Sequence, residues 1–292
     1  VNKKFTYLVT GAGGQLGSEW VRFLEKKGYS YKAFGSGELD ITDPAAVITS
    51  MNWVNPDIVI NCAAYTNVDR AESETEKAYS VNREGVKNLA GACRAAGILL
   101  VHYSTDYVFP GKKEDEEIYP EGYSEDAETN PVNQYGKTKL AGERELIESG
   151  ADFLLIRVSW LCGPGGSNFV NTMLRLASER DTVNVVDDQA GSPAYTFDVV
   201  EKTDALIRSG ERGIYHISSE GKLTWADFAE EIFRISGLET AVNRISSDEY
   251  PMDAGRPAFS LLSKKKLIRA GLRPVNWKDG LNELLKLQRQ NV

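Results

Sequence analysis

Tyr135 and Lys139 stand four residues apart in the stretch Tyr135-Gly136-Lys137-Thr138-Lys139, and of the chain's 13 tyrosines only Tyr135 has a lysine at the fourth position after it. Pro131 and Asn133 precede the pair and suit a helix start, and positions i and i+4 of a helix share a face. A free phenol, with a pKa of about 10, transfers its proton poorly at neutral pH. A nearby ammonium favours the phenolate, and lowering the pKa by about 3 units takes roughly 4 kcal/mol of differential stabilisation. Such a pair can serve as a tuned general acid. A second group, Ser104-Thr105-Asp106, directly follows a strand-like run, and a hydroxyl there can donate to a carbonyl oxygen that gains charge during a reduction. A third, Gly11-Ala12-Gly13-Gly14-Gln15-Leu16-Gly17, has glycines at 11, 14 and 17, which allow a tight turn, close approach of a pyrophosphate and close helix packing. A fourth, Asn61-Cys62-Ala63-Ala64-Tyr65-Thr66, offers small residues on which a flat group can lie. Each has a plain alternative when read alone: a surface tyrosine beside a solvated lysine, a turn hydroxyl, an ordinary strand-to-helix turn, tight core packing.

The elements that would position these residues follow the rhythm of βαβ units. Residues 6–10 form a short apolar run ending in the glycine turn, and Leu16, Trp20, Phe23 and Leu24 recur with the spacing of one helix face, closed by Gly28. Residues 31–34 and 58–60 read as further strands, 78–96 as a helix capped by Gly97, and 99–103 and 153–158 as buried strands. Near-continuous apolar strands separated by helices predict an α/β fold, a Rossmann-type doubly wound parallel sheet whose ligand crevice lies at the carboxyl ends of its strands. Residues 168–179 and 197–208 read as helices, 215–218 as a short strand, Thr224 as a capping-box start and 277–287 as an amphipathic tail. The predicted division is a nucleotide-binding domain over 1–160 plus roughly 180–212, with a smaller interleaved substrate domain over roughly 161–179 and 213–292. The acid-, Gly- and Pro-rich stretch 111–130 reads as a mobile surface loop.

Composition narrows the function. With 292 residues and 41% hydrophobic content, the chain can build a core without staples. Cys62, Cys93 and Cys162 are widely spaced and suit reduced thiols, while His102 and His216, the two histidines, argue against a His-rich metal site. A net charge of −8 disfavours nucleic acid as a partner, and no run approaches a membrane span or the apolar stretch of a signal peptide. The expectation is a soluble, cytoplasmic protein, monomeric or homodimeric, with no nucleic-acid or membrane partner.

Together these residues resemble the extended short-chain dehydrogenase/reductases and, within them, the dTDP-4-dehydrorhamnose reductases. The resemblance runs over nearly the whole chain through GAGGQLG (11–17), ELDITD (38–43), NCAAYTNVDRAE (61–72), STDYVFPG (104–111), NPVNQYGKTKLAGE (130–143), RVSW (157–160), DDQAGSPAYTFD (187–198) and GRPAFSLLS (255–263). It implies an oxidoreductase of nucleotide-sugar and cell-surface polysaccharide biosynthesis, reducing the C4 ketone of a dTDP-linked keto sugar, dTDP-4-dehydro-L-rhamnose, to dTDP-L-rhamnose. By the resemblance, Tyr135 protonates the C4 oxygen, Lys139 binds the nicotinamide ribose and depresses the Tyr135 pKa, and Thr105 completes a catalytic triad. Gly11, Gly14, Gln15, Leu16, Gly17, Asp40, Ile41, Ala63, Ala64, Tyr65 and Thr66, with Tyr135 and Lys139, would hold the cofactor. Thr105, Asp106, Tyr135 and Trp160 would contact the sugar, Trp160 as its floor. Phe34-Gly35-Ser36-Gly37 carries neither an acid for a ribose 2′-hydroxyl nor an Arg for a 2′-phosphate, so NADPH is the expected cofactor and NADH the second. Some members place Mg²⁺ at a dimer interface; Glu19, Asp187 and Asp188 are acids in reach of such a role, but they read better as solvated surface groups, and no metal ligand is assigned. The alternatives are another nucleotide-sugar 4-ketoreductase, an epimerase that recycles its cofactor, or a non-catalytic regulatory subunit with this fold.

Overall fold

A computed structural model describes residues 5–290. In chain order the principal strands are β1 (Thr6–Thr10), β2 (Ser30–Phe34), β3 (Ile58–Asn61), β4 (Leu99–Thr105), β5 (Phe153–Val158), β6 (Thr182–Val186), β7 (Gly213–His216) and β8 (Ala241–Ile245). The principal helices are α1 (Gln15–Lys27), α2 (Pro44–Val54), α3 (Gly85–Ala96), α4 (Gln134–Glu148), α5 (Phe169–Glu179), α6 (Thr196–Ser209), α7 (Trp225–Ser236) and α8 (Trp277–Gln290). Six strands form the main sheet in the order β7-β5-β4-β3-β1-β2, with every neighbouring pair parallel.

Alternation along the strands builds a core on each face of this sheet. Tyr7, Val9, Ile58, Ile60, Val101 and Ile156 point to one side and meet Trp20, Phe23 and Leu24 of α1 and Val199, Leu206 and Ile207 of α6. Leu8, Val59, Leu100 and Leu155 point to the other, against Val47 and Met51 of α2, Leu89 and Cys93 of α3, and Leu146 of α4. The chain leaves β1 for β2 on one flank and crosses to β3 on the other, so β1 and β3 border the switch point where such sheets bind ligands. A third core joins α5, α7, α8 and β6 through Met173, Val183, Phe228, Ile232 and Leu284.

The structure departs from the sequence reading in three places. β7, expected in the second unit, is the outer strand of the main sheet beside β5, whereas β6, expected in the first, pairs with β8. Pairing partners of such short strands are set by distant chain, which local pattern does not report. The helix expected over 78–96 is a run of three pieces, Thr75–Tyr79, a π-helical turn Ser80–Glu84, and α3. The stretch 111–130 is no loose loop: Tyr123 is fully buried, stacks on Phe109 at 4.4 Å, and its backbone bonds to the 261–263 segment. Its acids hide this anchor, since Tyr123 donates to a buried Asp115 at 2.5 Å.

Candidate active site

The carboxyl ends of β1, β3, β4 and β5 open into one cavity of about 1020 Å³. Gly11, Gly14, Gln15 and Leu16 line it from the first turn, and Asp40 and Ile41 from the segment before α2. Ala63, Ala64, Tyr65 and Thr66 follow from the end of β3, Thr105 and Asp106 from β4, Tyr135 and Lys139 from α4, and Trp160 from the end of β5. Gly17 is the exception among the expected residues, for it lies beneath the turn. A Cβ there would come within 2.2 Å of the Gly11 carbonyl, so its contribution is close helix packing. Sequence reasoning missed Ser36, Tyr107, Leu161 and Trp225, which also line the cavity.

The first turn fits a phosphate-bearing ligand. Gly13 faces open space, and Gly14 is the N-cap of α1 in extended conformation. The first amides of a helix have no intrahelical acceptor, and the dipole there favours negative charge. Gln15 has a further part: its Oε1 accepts from the Gly163 N–H (3.0 Å) and Asn168 Nδ2 (2.8 Å), while its Nε2 donates to the Ser167 carbonyl (3.1 Å). It thereby clasps the glycine turn to the 163–168 segment. The Asp40 carboxylate is engaged locally, accepting from the Thr42 N–H and hydroxyl.

Helix α4 carries Tyr135 and Lys139. Asn133 caps it, accepting from the Gly136 N–H at 2.8 Å, and this fixes the helix start so that Tyr135 and Lys139 face the cavity together. The buried Lys139 ammonium donates to the Tyr103 carbonyl at 2.6 Å. Burial lowers its pKa to about 8, opposed by the Glu143 carboxylate one turn further on. The Tyr135 phenol stands edge-on to Tyr107, ring centroids 5.6 Å apart, and lines the same cavity as Thr105. Desolvation raises its pKa, with the Asp106 carboxylate adding to the rise and Thr105 opposing it. The groups that shift Tyr135 are thus its burial, Asp106 and Thr105, while the Lys139 ammonium is directed to the Tyr103 carbonyl.

Thr105 Oγ1 donates to Asp106 Oδ1 at 2.9 Å and accepts from the Tyr107 N–H at 3.2 Å. Asp106 is 3% exposed, and its Oδ2 has no hydrogen-bond partner among the described residues. Burial pushes its carboxyl up to about 7 against the pull of Thr105 and Ser260. Trp160 adopts φ 45°, a conformation unusual for a bulky residue, and its ring stacks on Trp225 at 3.5 Å.

The acids considered for a metal are otherwise occupied. Glu19 is buried and paired with Arg22, Asp187 accepts from Arg244 and Thr224, and Asp188 from Ser247. For Glu19 the reading as a solvated surface group fails: α1 turns it inward. Cys62 is partly buried, and Cys93 and Cys162 are buried thiols. Among the described residues no helix is long and apolar enough to cross a membrane.

Comparison with known proteins agrees with this geometry. The chain is 44% identical over 285 residues to dTDP-4-dehydrorhamnose reductase of Streptomyces griseus, covering 95% of this chain and 92% of that one. It is 43% identical over 279 residues to spore coat polysaccharide biosynthesis protein SpsK of Bacillus subtilis, covering 96% of each. The crystal structure of dTDP-4-dehydrorhamnose reductase from Bacillus anthracis in complex with NADP superimposes with a TM-score of 0.93 at 38% identity, over 98% of this chain and 100% of that one. UDP-glucose 4-epimerase of Thermus thermophilus, in complex with NAD, shares the fold with a TM-score of 0.83 at 23% identity. The profile of the RmlD substrate binding domain matches residues 5–290, and the chain belongs to that family.

Proposed function

We propose that this chain is a nicotinamide-dependent reductase that converts the C4 ketone of dTDP-4-dehydro-L-rhamnose to the alcohol of dTDP-L-rhamnose. The observation that carries the reading is the convergence of Thr105, Tyr135 and Lys139 on one cavity that also contains the glycine turn. A nicotinamide cofactor held along Gly11, Gly14, Ala64, Tyr65 and Lys139 would supply the hydride for the sugar carbon. Tyr135 gives its proton to the C4 oxygen, and Lys139 holds positive charge beside the phenolate and ribose. Trp160, held by Trp225, provides a flat floor for the sugar ring. NADPH is the favoured cofactor. The Glu38 carboxylate accepts from the Gly35 N–H at 2.8 Å within its own turn, Ser36 lines the cavity with a hydroxyl that could donate to a 2′-phosphate, and the B. anthracis relative is complexed with NADP.

The test uses NADPH deuterated at the transferring position with enzymatically made dTDP-4-dehydro-L-rhamnose. The expected result is loss of nicotinamide absorbance in step with deuterium appearing at the sugar C4. An epimerase would regenerate its cofactor and show no net loss. No oxidation of NADPH or NADH by folded protein overturns the reading.

A further inference from the structure

The hydroxyl of Thr105 stands between two acids, and its hydrogen-bonding capacity is countable. A threonine hydroxyl has one proton to give and two lone pairs to accept with. One lone pair is taken by the Tyr107 N–H at 3.2 Å. The proton goes to Asp106 Oδ1, at 2.9 Å, and the remaining lone pair is left for the Tyr135 phenol, which lines the same cavity. When Asp106 is ionised, Thr105 donates to it and accepts from Tyr135. Once Tyr135 has lost its proton it can only accept, and Thr105 can turn its proton toward the phenolate. Its freed lone pair is then satisfied only if Asp106 carries a proton to donate. Two anions flanking one buried hydroxyl would leave one of them unpaired, which is costly away from water.

From this count we infer that Asp106 is the proton store of the site and refills Tyr135 through Thr105. The inference rests on the reductase reading above. As Tyr135 O–H protonates the C4 oxygen, the O–H bond of Thr105 breaks toward the phenolate oxygen and the carboxyl O–H of Asp106 breaks toward Thr105. The net change is a neutral carboxyl becoming a carboxylate, while the ketone, hydride and proton become an alcohol. After product leaves, Asp106 takes a proton from water entering the cavity.

The surroundings suit a store. The carboxyl is buried, Oδ2 is unpaired among the described residues, and the pKa is raised to about 7. The groups facing it are Thr105 and the Tyr107 phenol from its own turn, Tyr135 from α4, and the Ser260 hydroxyl from the 258–263 segment. The Arg256–Asp69 pair lies beyond Tyr107, and Lys139 is directed to the Tyr103 carbonyl.

The test is the pH dependence of single-turnover reduction by wild-type protein, Asp106→Asn and Ser260→Ala, each first shown to bind NADPH. In wild type the rate should fall tenfold per pH unit above about pH 7, where the store is empty. Asp106→Asn should be at least tenfold slower at about pH 6 and lose that limb. The solvent-isotope proton inventory should pass from curved to linear. Ser260→Ala removes a group that favours the carboxylate, so its limb should move to higher pH with KM little changed. A limb that persists unmoved in Asp106→Asn, or an effect confined to KM, reduces Asp106 to a substrate contact and overturns the store. Failure of wild type to reduce the keto sugar is a separate outcome that removes the reductase reading. The store then stands or falls on infrared titration of the ligand-free protein. The C=O band of a protonated carboxyl should vanish between about pH 6 and 8 in wild type and be missing from Asp106→Asn; a wild type without that band overturns it.

Discussion

Helix α4 serves two buried polar clusters, and they are finished differently. At its far end, Glu143 accepts from Arg157 Nε (3.0 Å) and Nη2 (2.7 Å) in a two-pronged pair almost sealed from solvent. Arg157 also donates to the Glu125 carbonyl at 3.1 Å and rests over the Phe109 ring. At its near end, Tyr135, Lys139, Thr105 and Asp106 crowd together, yet Asp106 Oδ2 and Ser104 Oγ find no partner among the described residues. Buried polar groups are ordinarily satisfied. A cluster that the protein completes by itself holds the fold, whereas one left open and shifted in pKa has room for a reacting ligand.

The sharpest way to separate the two ends is to remove one charge from each. Lys139→Met should cut the rate of reduction by about 10²- to 10⁴-fold, the usual worth of an acid–base apparatus, with loss of cofactor affinity measured by NADPH fluorescence. Glu143→Ala should instead cost about 3–5 kcal/mol of stability, because it strands a buried guanidinium. Chemical denaturation would read this, and replacing both partners by apolar residues should cost much less than the single change.

Asp106→Asn gives the third contrast, in stability. The carboxyl's pKa rises on folding from an ordinary 3.8 to about 7, so relative stability is full below pH 3.8 and declines as pH climbs to 7. The variant should therefore gain on wild type as pH rises, by up to about 4 kcal/mol above pH 7. A stability difference that does not change with pH would deny the raised pKa. The smallest effect is expected of Trp225→Ala, which takes away the stacking partner of Trp160. An aromatic pair is worth about 0.5–1.5 kcal/mol, so KM for the sugar should rise a few-fold with the hydride step little affected.

How far these clusters could be read in the sequence depends on the distance between their members. The Tyr135–Lys139 pair and the glycine turn are local, and their chemistry follows from spacing alone. Glu143 continues the same face at i+8 from Tyr135, a signal that the helical period carries. Arg157, Ser260 and Trp225 join through tertiary contacts that no local pattern announces. Tyr123 is the opposite failure: its acidic neighbours suggested a solvated loop, while its ring is wedged against Phe109 and Phe259. The parallel sheet was legible because its strands are apolar on both sides. The placement of β6 and β7 was not, since each is only four or five residues long and takes its partner from distant chain.

The most direct test of the account is single-turnover reduction by Tyr135→Phe with cofactor bound, measured together with its melting temperature. Removing one hydroxyl should stop proton delivery, with a rate at least 10²-fold below wild type and melting and cofactor affinity nearly unchanged. Reduction at the wild-type rate by the folded variant would contradict the assignment of Tyr135 as the acid, and with it the claim that the open end of α4 is where the chemistry occurs.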